Sequence, residues 1–441
     1  MATQEGNVTK VEPLKTAKKV RDFVKNLYAD PLEAKKEGRP VAYCGVMSAC
    51  DEILVAMDIT PVWWENYAGL CAVKHDAERF LQKAQEEGFS RYFCSYITNA
   101  LGFEAIRKES GEMPPNAPDG GMAAPDVVIG TGMMICDARI KWHQAFARYN
   151  EAPFYAYSLL WPPFDASIKE SEGYYISHMV EQLRGLVVFL EKALGKKMDW
   201  DQLAEAVDTA EQTHKLWWEA NQFRKSTPCP MGSDDEFRIF VPAWFKKGTK
   251  AALEFYRELR DELKYRAENK IGVVPDEKYR MIYGGGIPPW HSLEIFSHFK
   301  ECGVVFAAET WPGYRPYDLV EIPSGVNDPV ERMAYRFFRE WTFWHEKAAA
   351  RSGDPLVEQI LDNMETFDCR DGIFFHLNET CRTWGLGQRH QVHITKQYVD
   401  VPTLIVEGDI VDSGFFSMEQ TRGRIDAFME IVESGKNSRS I

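Results

Sequence analysis

Two stretches of this chain repeat one short plan, and that repeat constrains the fold more than any other feature. Asp126-Val-Val-Ile-Gly-Thr runs ten residues to Cys136, and Asp371-Gly-Ile-Phe-Phe-His runs ten residues to Cys381. Each run reads as a strand, and each cysteine opens a helical pattern. A Pro-led strand follows in both copies: Pro153-Phe-Tyr-Ala-Tyr and Pro402-Thr-Leu-Ile-Val. A second pair of segments, AYCGVMSACDEILVAM (42–57) and IYGGGIPPWHSLEIF (282–296), gives strand, Gly-bearing turn and helix from Ala42 and from Ile282. Apolar runs alternating with helical patterns signal parallel strands joined by crossover helices. The expected fold class is therefore α/β: two Rossmann- or flavodoxin-like open parallel-sheet domains related by internal duplication. Such a unit binds ligands beyond the carboxyl ends of its strands. Cys136 and Cys381 are expected there, facing one cleft.

The rest of the chain separates by pattern. Residues 1–39 read as an N-terminal helical segment broken at the Asp30-Pro31 turn, 40–165 as the first α/β domain and 276–441 as the second. Residues 166–275 carry long helical periodicity, as in YYISHMVEQLRGLVVFLEKAL, with a further helix over about 244–269. This middle region is expected to pack outside the cleft and to supply subunit contacts.

With 52 basic and 66 acidic residues the formal charge is −14, which argues against a nucleic-acid or anionic-membrane surface. No stretch reaches the ~18 apolar residues of a membrane helix, and the N-terminus has no apolar signal region. The expectation is a cytoplasmic protein. Nine cysteines in that compartment are not a disulfide framework.

A single cysteine is ordinarily a small buried hydrophobe, and Cys302 and Cys369 are read so. Cys136 and Cys381 differ through their equivalent positions, and Cys94, in RYFCSYITNALG, sits at another strand-to-helix junction. Three thiolates facing one cleft can bind three irons of a cubane and leave the fourth open. Gly284-Gly285-Gly286 reads either as a turn with close backbone approach or as an anion nest at a helix start. His291 reads as a proton donor or a satisfied core histidine. Ser48 reads as a ligand contact or a helix cap, and Glu65 as an acid or base in an aromatic wall or a surface carboxylate. No P-loop sequence occurs.

Taken in order, YCGVMSACDEILVAMDITPVWW, RYFCSYITNALG, PDVVIGTGMMICDARIKW, DGIFFHLNETC and EGDIVDSGFFSMEQTRGRIDAFME resemble the core subunits shared by 2-hydroxyacyl-CoA dehydratases and benzoyl-CoA reductases. The resemblance covers most of 40–160 and 280–435. It implies two related domains with an iron–sulfur cluster between them, held by Cys94, Cys136 and Cys381. It sets Ser48 and Glu65 near substrate-contacting positions. Length and aromatic content look most like the benzoyl-CoA reductase B-type subunit, while the extra Cys44, Cys50 and Cys71 leave a [4Fe-4S] cluster and a double-cubane cluster both open.

The resemblance also implies ATP-dependent, low-potential reduction of an aromatic acyl-CoA to a cyclic dienoyl-CoA. The implied partners are a second related core subunit, ATP-hydrolysing activator subunits that alone bind ATP, and reduced ferredoxin as electron source. The alternative within the family is an (R)-2-hydroxyacyl-CoA dehydratase working through a ketyl radical. Outside it stands a non-catalytic two-lobed ligand-binding protein, which leaves the matching cysteines unexplained.

Overall fold

The structure is a computed structural model that describes residues 10–133, 136, 138–163, 166–312 and 322–439. The expected domain limits at 1, 165 and 441 lie outside the described residues. Ten strands occur among those described: β1 (Lys10–Val11), β2 (Val41–Cys44), β3 (Thr60–Trp63), β4 (Val127–Met133), β5 (Phe154–Leu159), β6 (Ile271–Gly272), β7 (Tyr279–Tyr283), β8 (Val304–Glu309), β9 (Gly372–Asn378) and β10 (Thr403–Gly408). They form two four-stranded parallel sheets, β3-β2-β4-β5 and β8-β7-β9-β10, plus the small pair β1-β6. Both large sheets therefore run second-first-third-fourth in chain order, the same open-sheet plan twice. The α/β expectation holds.

The duplicated aspartates do the same local job. Asp126 Oδ2 accepts the Val41 amide at 2.8 Å, and Asp371 Oδ2 accepts the Arg280 amide at 2.8 Å. Each aspartate's own amide returns a bond to the carbonyl of the same residue. A carboxylate one residue before the third strand thus latches the start of the first, where the ladder has no further partner.

Sheet register corrects the sequence pairing by one residue. Ala42 pairs with Val127 after Asp126, and Met281 pairs with Gly372 after Asp371. Ala42 therefore corresponds to Met281, not to Ile282. In a strand that single step exchanges the two faces, and the second sheet shows the sorting. Met281, Tyr283, Val304, Phe306 and Phe374 join the main core, while Ile282, Val305, Ala307, Ile373 and Phe375 fill a smaller one.

Helices Ile168–Leu194, Trp200–Gln222 and Lys250–Glu268 make up most of the middle. Their first turns are capped by Ser167, Asp199 and Thr249, whose side chains accept otherwise unpartnered amides. The N-terminal helix differs from expectation, for Val20–Lys36 runs through Pro31 without a break. Leu27, Tyr28, Pro31 and Ala34 are buried on one side of it, and that packing outweighs the lost hydrogen bond. Before this helix the chain is stapled to the middle region. β1 pairs with β6, and Glu262 accepts the Lys15 and Thr16 amides, each at 2.8 Å. No helix among the described residues is long and apolar enough to cross a membrane.

Candidate functional site

Cys94, Cys136 and Cys381 line one cavity of about 1120 Å³. They arrive from three places. Cys136 lies three residues past β4 and Cys381 three past β9, at the carboxyl ends of equivalent strands. Cys94 is the residue before helix Ser95–Ser110. The first and third strands of each sheet neighbour one another where the strand order reverses, so both strand-end thiols occupy switch-point positions.

All three thiols stand at helix starts. Backbone amides of Ile97 at Cys94, Arg139 and Ala138 at Cys136, and Trp384 and Thr383 at Cys381 each favour the thiolate. Burial acts against this and dominates. It pushes Cys94 and Cys136 up and carries Cys381 to about 12. The thiols also feel one another: Cys94 is raised further by Cys381 and Cys136, and Cys381 by Cys136. Three mutually close thiols that resist ionisation unaided are suited to a positive partner that stabilises thiolates.

A polar tie holds two of the three elements together. Thr380, next to Cys381, accepts the amide of Ser95, next to Cys94, at 3.0 Å, and donates to Asp409 Oδ2 at 2.5 Å. The other oxygen of Asp409 accepts the Val411 and Asp412 amides. His291 completes this arrangement from behind. Its Nε2 donates to the Asp409 carbonyl at 3.0 Å and its Nδ1 faces Ser292 Oγ at 2.8 Å. Burial lowers its pKa. His291 is therefore a buried neutral imidazole with both nitrogens engaged, and it does not line the cavity.

Glu65 does line the cavity. Its Oε2 accepts from Arg139 Nη2 at 2.6 Å and from the Val46 amide at 2.6 Å, and Arg139 also donates to the Val46 carbonyl. This pair clamps a turn in which Met47 and Ala49 both have positive φ, 56° and 53°. Such values are costly for residues with a Cβ and persist only when neighbours fix them. Ser48 sits inside that turn, fully buried. It donates to the Gly45 carbonyl, lies 3.2 Å from Thr131 Oγ1, and does not line the cavity.

The Gly284–Gly286 run is explained by close approach. A Cβ on Gly285 would collide with the His376 backbone nitrogen, and one on Gly286, at φ +66°, would sit 2.6 Å from the Trp384 ring.

One cavity wall is aromatic. Trp311 packs against Phe240, Trp244 and Trp290 at centroid distances of 5.2, 5.5 and 6.0 Å. Phe237, Phe240 and Trp244 come from the short helices Ser233–Ile239 and Val241–Phe245 and the residue between them. Part of the helical middle thus forms the cleft wall, contrary to its expected place outside. Helices this short and apolar on most sides are stable only when buried. Tyr96, two residues after Cys94, is the one phenol lining the cavity among the described residues. Trp290 Nε1 donates to its oxygen, and burial raises its pKa well above the usual value. Sequence reasoning passed over Tyr96, Thr380 and Asp409, though each adjoins a cysteine or a strand end.

Cys44, Cys50 and Cys71 are buried in the main core and absent from the cavity lining. Among the described residues no three His, Cys, Asp or Glu converge on a single metal ion. Three thiols spread around an otherwise largely apolar cavity, each under helix-start amides, are instead the donor chemistry that an iron–sulfur cluster takes.

The family model described as 2-hydroxyglutaryl-CoA dehydratase, D-component, matches residues 46–432. The chain belongs to this family. Members similar to it include lactoyl-CoA dehydratase subunit alpha of Anaerotignum propionicum, 24% identical over 415 residues, covering 92% of this chain and 93% of that one. The (R)-2-hydroxyisocaproyl-CoA dehydratase alpha subunit of Clostridioides difficile is 24% identical over 424 residues, with 95% and 96% covered. The B-type benzoyl-CoA reductase subunit of Thauera aromatica is 21% identical over 435 residues, with 96% of each covered. The dehydratase family thus spans both sheets, the middle helices and all three cavity thiols of this chain.

Proposed function

We propose that this chain is the iron–sulfur core subunit of an ATP-dependent aromatic acyl-CoA reductase. In this reading Cys94, Cys136 and Cys381 hold one [4Fe-4S] cluster and the acyl group lies against the aromatic wall. The observation that carries it is the single cavity that joins three thiols to Phe240, Trp244, Trp290 and Trp311. A cluster held there supplies one electron at low potential to the thioester. The chain's residues do the rest. The aromatic wall offers a flat acyl group stacking partners and keeps water from the radical anion. Glu65 and Arg139 fix the turn that faces it. Tyr96 keeps its phenolic proton, and because Trp290 already donates to its oxygen, that hydrogen is available to the reduced ring. His291, engaged on both nitrogens, steadies Asp409 and Thr380 rather than giving up a proton. Ser48 keeps its turn closed.

The same reading gives the chain a second related core subunit, ATP-hydrolysing activator subunits and reduced ferredoxin as partners in the cytoplasm. Residues 40–165 and 276–441 would form the lobes that close on the substrate.

A second reading, (R)-2-hydroxyacyl-CoA dehydratase, is favoured by the names of the two relatives at 24% identity. The two readings differ in electron balance. Ring reduction consumes two electrons per product, whereas dehydration returns the electron after the β-side bond changes. The test supplies the assembled complex with ATP and a limiting low-potential reductant, offering benzoyl-CoA and an (R)-2-hydroxyacyl-CoA in turn. One dienoyl-CoA per two electrons supports the reductase. Many dehydrations per electron with benzoyl-CoA untouched replace it with the dehydratase.

A further inference from the structure

The cavity has a second chemical character away from the thiols. Lys18, Arg21, Lys25, Lys74 and Arg238 all line it, and all five are exposed whereas the three thiols are not. Lys18, Arg21 and Lys25 are three and four residues apart, a spacing that sets side chains on one helix face. Lys74 closes helix Trp64–Val73, and Arg238 lies in helix Ser233–Ile239. Three separate elements therefore bring cations to one mouth.

None of the five makes a salt bridge among the described residues, in a chain with 66 acidic side chains against 52 basic ones. Lys19, beside them, does pair, with Glu258. Carboxylates also line the cavity. Glu65 is committed to Arg139, Asp22 and Asp119 remain, and burial beside Asp234 pushes Asp235 up to about 6. The mouth is still left with excess positive charge. The volume of about 1120 Å³ exceeds the roughly 300–1,000 Å³ of ordinary small-molecule sites, so a long ligand with an anionic end is accommodated. Lys18, Arg21 and Lys25 precede residue 46, where the family match begins.

We propose that the N-terminal helix and the turn before it form the receptor for the phosphorylated nucleotide end of the thioester, with Lys18, Arg21 and Lys25 pairing with its phosphates. The assignment rests on the acyl-CoA reading above and adds where the handle enters. The acyl end then points inward to the thiols, and the cationic mouth stays at the surface, where phosphates retain part of their hydration.

The test uses the purified full chain, titrated with coenzyme A, 3′-dephospho-coenzyme A, pantetheine and ATP. Tryptophan quenching reports binding, since four tryptophans line the cavity, and calorimetry supplies the affinity. Coenzyme A should bind more tightly than 3′-dephospho-coenzyme A, and pantetheine most weakly. K18A, R21A and K25A should each weaken coenzyme A by about 5- to 10-fold, the loss expected for one phosphate pair, while leaving pantetheine unchanged. Coenzyme A affinity should fall as salt is raised. Because the wild-type comparison of coenzyme A with pantetheine needs no variant, a misfolded variant cannot hide the answer. Wild-type coenzyme A binding retained in all three variants would overturn the mouth and leave the acyl-CoA reading standing. ATP competing as well as coenzyme A would overturn the thioester handle in favour of a general polyphosphate site. No binding of either coenzyme A or pantetheine would overturn the mouth together with the reading beneath it.

Discussion

The two sheet units share a frame and differ in what hangs from it. Both have the same strand order, the same aspartate latch and a cysteine three residues past the third strand. Between its second and third strands, however, the first unit carries helices Trp64–Val73, Glu78–Glu86 and Ser95–Ser110, and with them Cys94 and Tyr96. The second unit's corresponding connection begins with Trp311 and, among its described residues, contributes no thiol to the cavity. The first-strand turns differ too. One is a strained polar turn clamped by Glu65 and Arg139, and the other is a glycine run pressed against His376 and Trp384. A duplicated frame thus fixes where a site lies, while the connections decide its chemistry: two thiols and a phenol from one side, one thiol and an indole from the other.

The largest expected effect tests whether the shared positions act together. Cys94→Ser, Cys136→Ser and Cys381→Ser should each lower bound iron from about four per chain to a small fraction in anaerobic metal analysis. Equal losses for the 136 and 381 variants support their equivalence. Full iron in either would break it.

A second test sharpens a difference in the buried charges. Beneath the second sheet Arg224 pairs with Glu309 at 2.6 Å, and Glu236, 4.0 Å from the same arginine, is pushed up to about 8 by burial and by Glu309. A carboxyl raised in the fold contributes its stability fully below about pH 4.5 and loses it as pH rises to about 8. Urea midpoints should therefore fall across that window. Glu236→Gln should flatten the slope and raise stability at pH 8. An unchanged slope would remove Glu236 as its source.

Smaller effects are expected at the latches. Asp126→Asn and Asp371→Asn should each cost about 1–3 kcal/mol of unfolding free energy, because each leaves a strand-start amide poorly satisfied. The exposed Lys35–Asp126 pair should add little to the first. Costs differing by more than a factor of about three would mean that the two latches are not equivalent. Smallest of all, Cys302→Ser should leave both iron content and urea midpoint unchanged, since Cys302 lies outside the cavity.

Much of the frame was legible because parallel strands buried on both faces read as apolar runs, and because Asp-to-Cys spacing survives in both copies. The one-residue register of β2 against β7 was not, since ladder pairing is set by the Asp126 and Asp371 latches rather than by matching tyrosines. Helical periodicity found the long middle helices but gave no sign that 233–245 would turn inward. Their apolar residues declare burial without declaring against what. Ser48 and His291 illustrate the same limit. A serine in a turn and a histidine after one look chemically available in sequence, and only the Gly45 and Asp409 carbonyls show them spent on structure.

The staple between β1 and β6 sets an order of events in time. Lys10 and Val11 can pair only after Ile271 and Gly272 exist, and Glu262 must be present to hold Lys15 and Thr16. At about 5–20 residues per second of synthesis, the start of the chain waits roughly 13–50 s for its partner strand. The first sheet can close within that interval, since β2 to β5 are all made before residue 160. The N-terminal helix then docks on a half-built molecule, and the cavity gains that wall as one of its last acquisitions rather than its first.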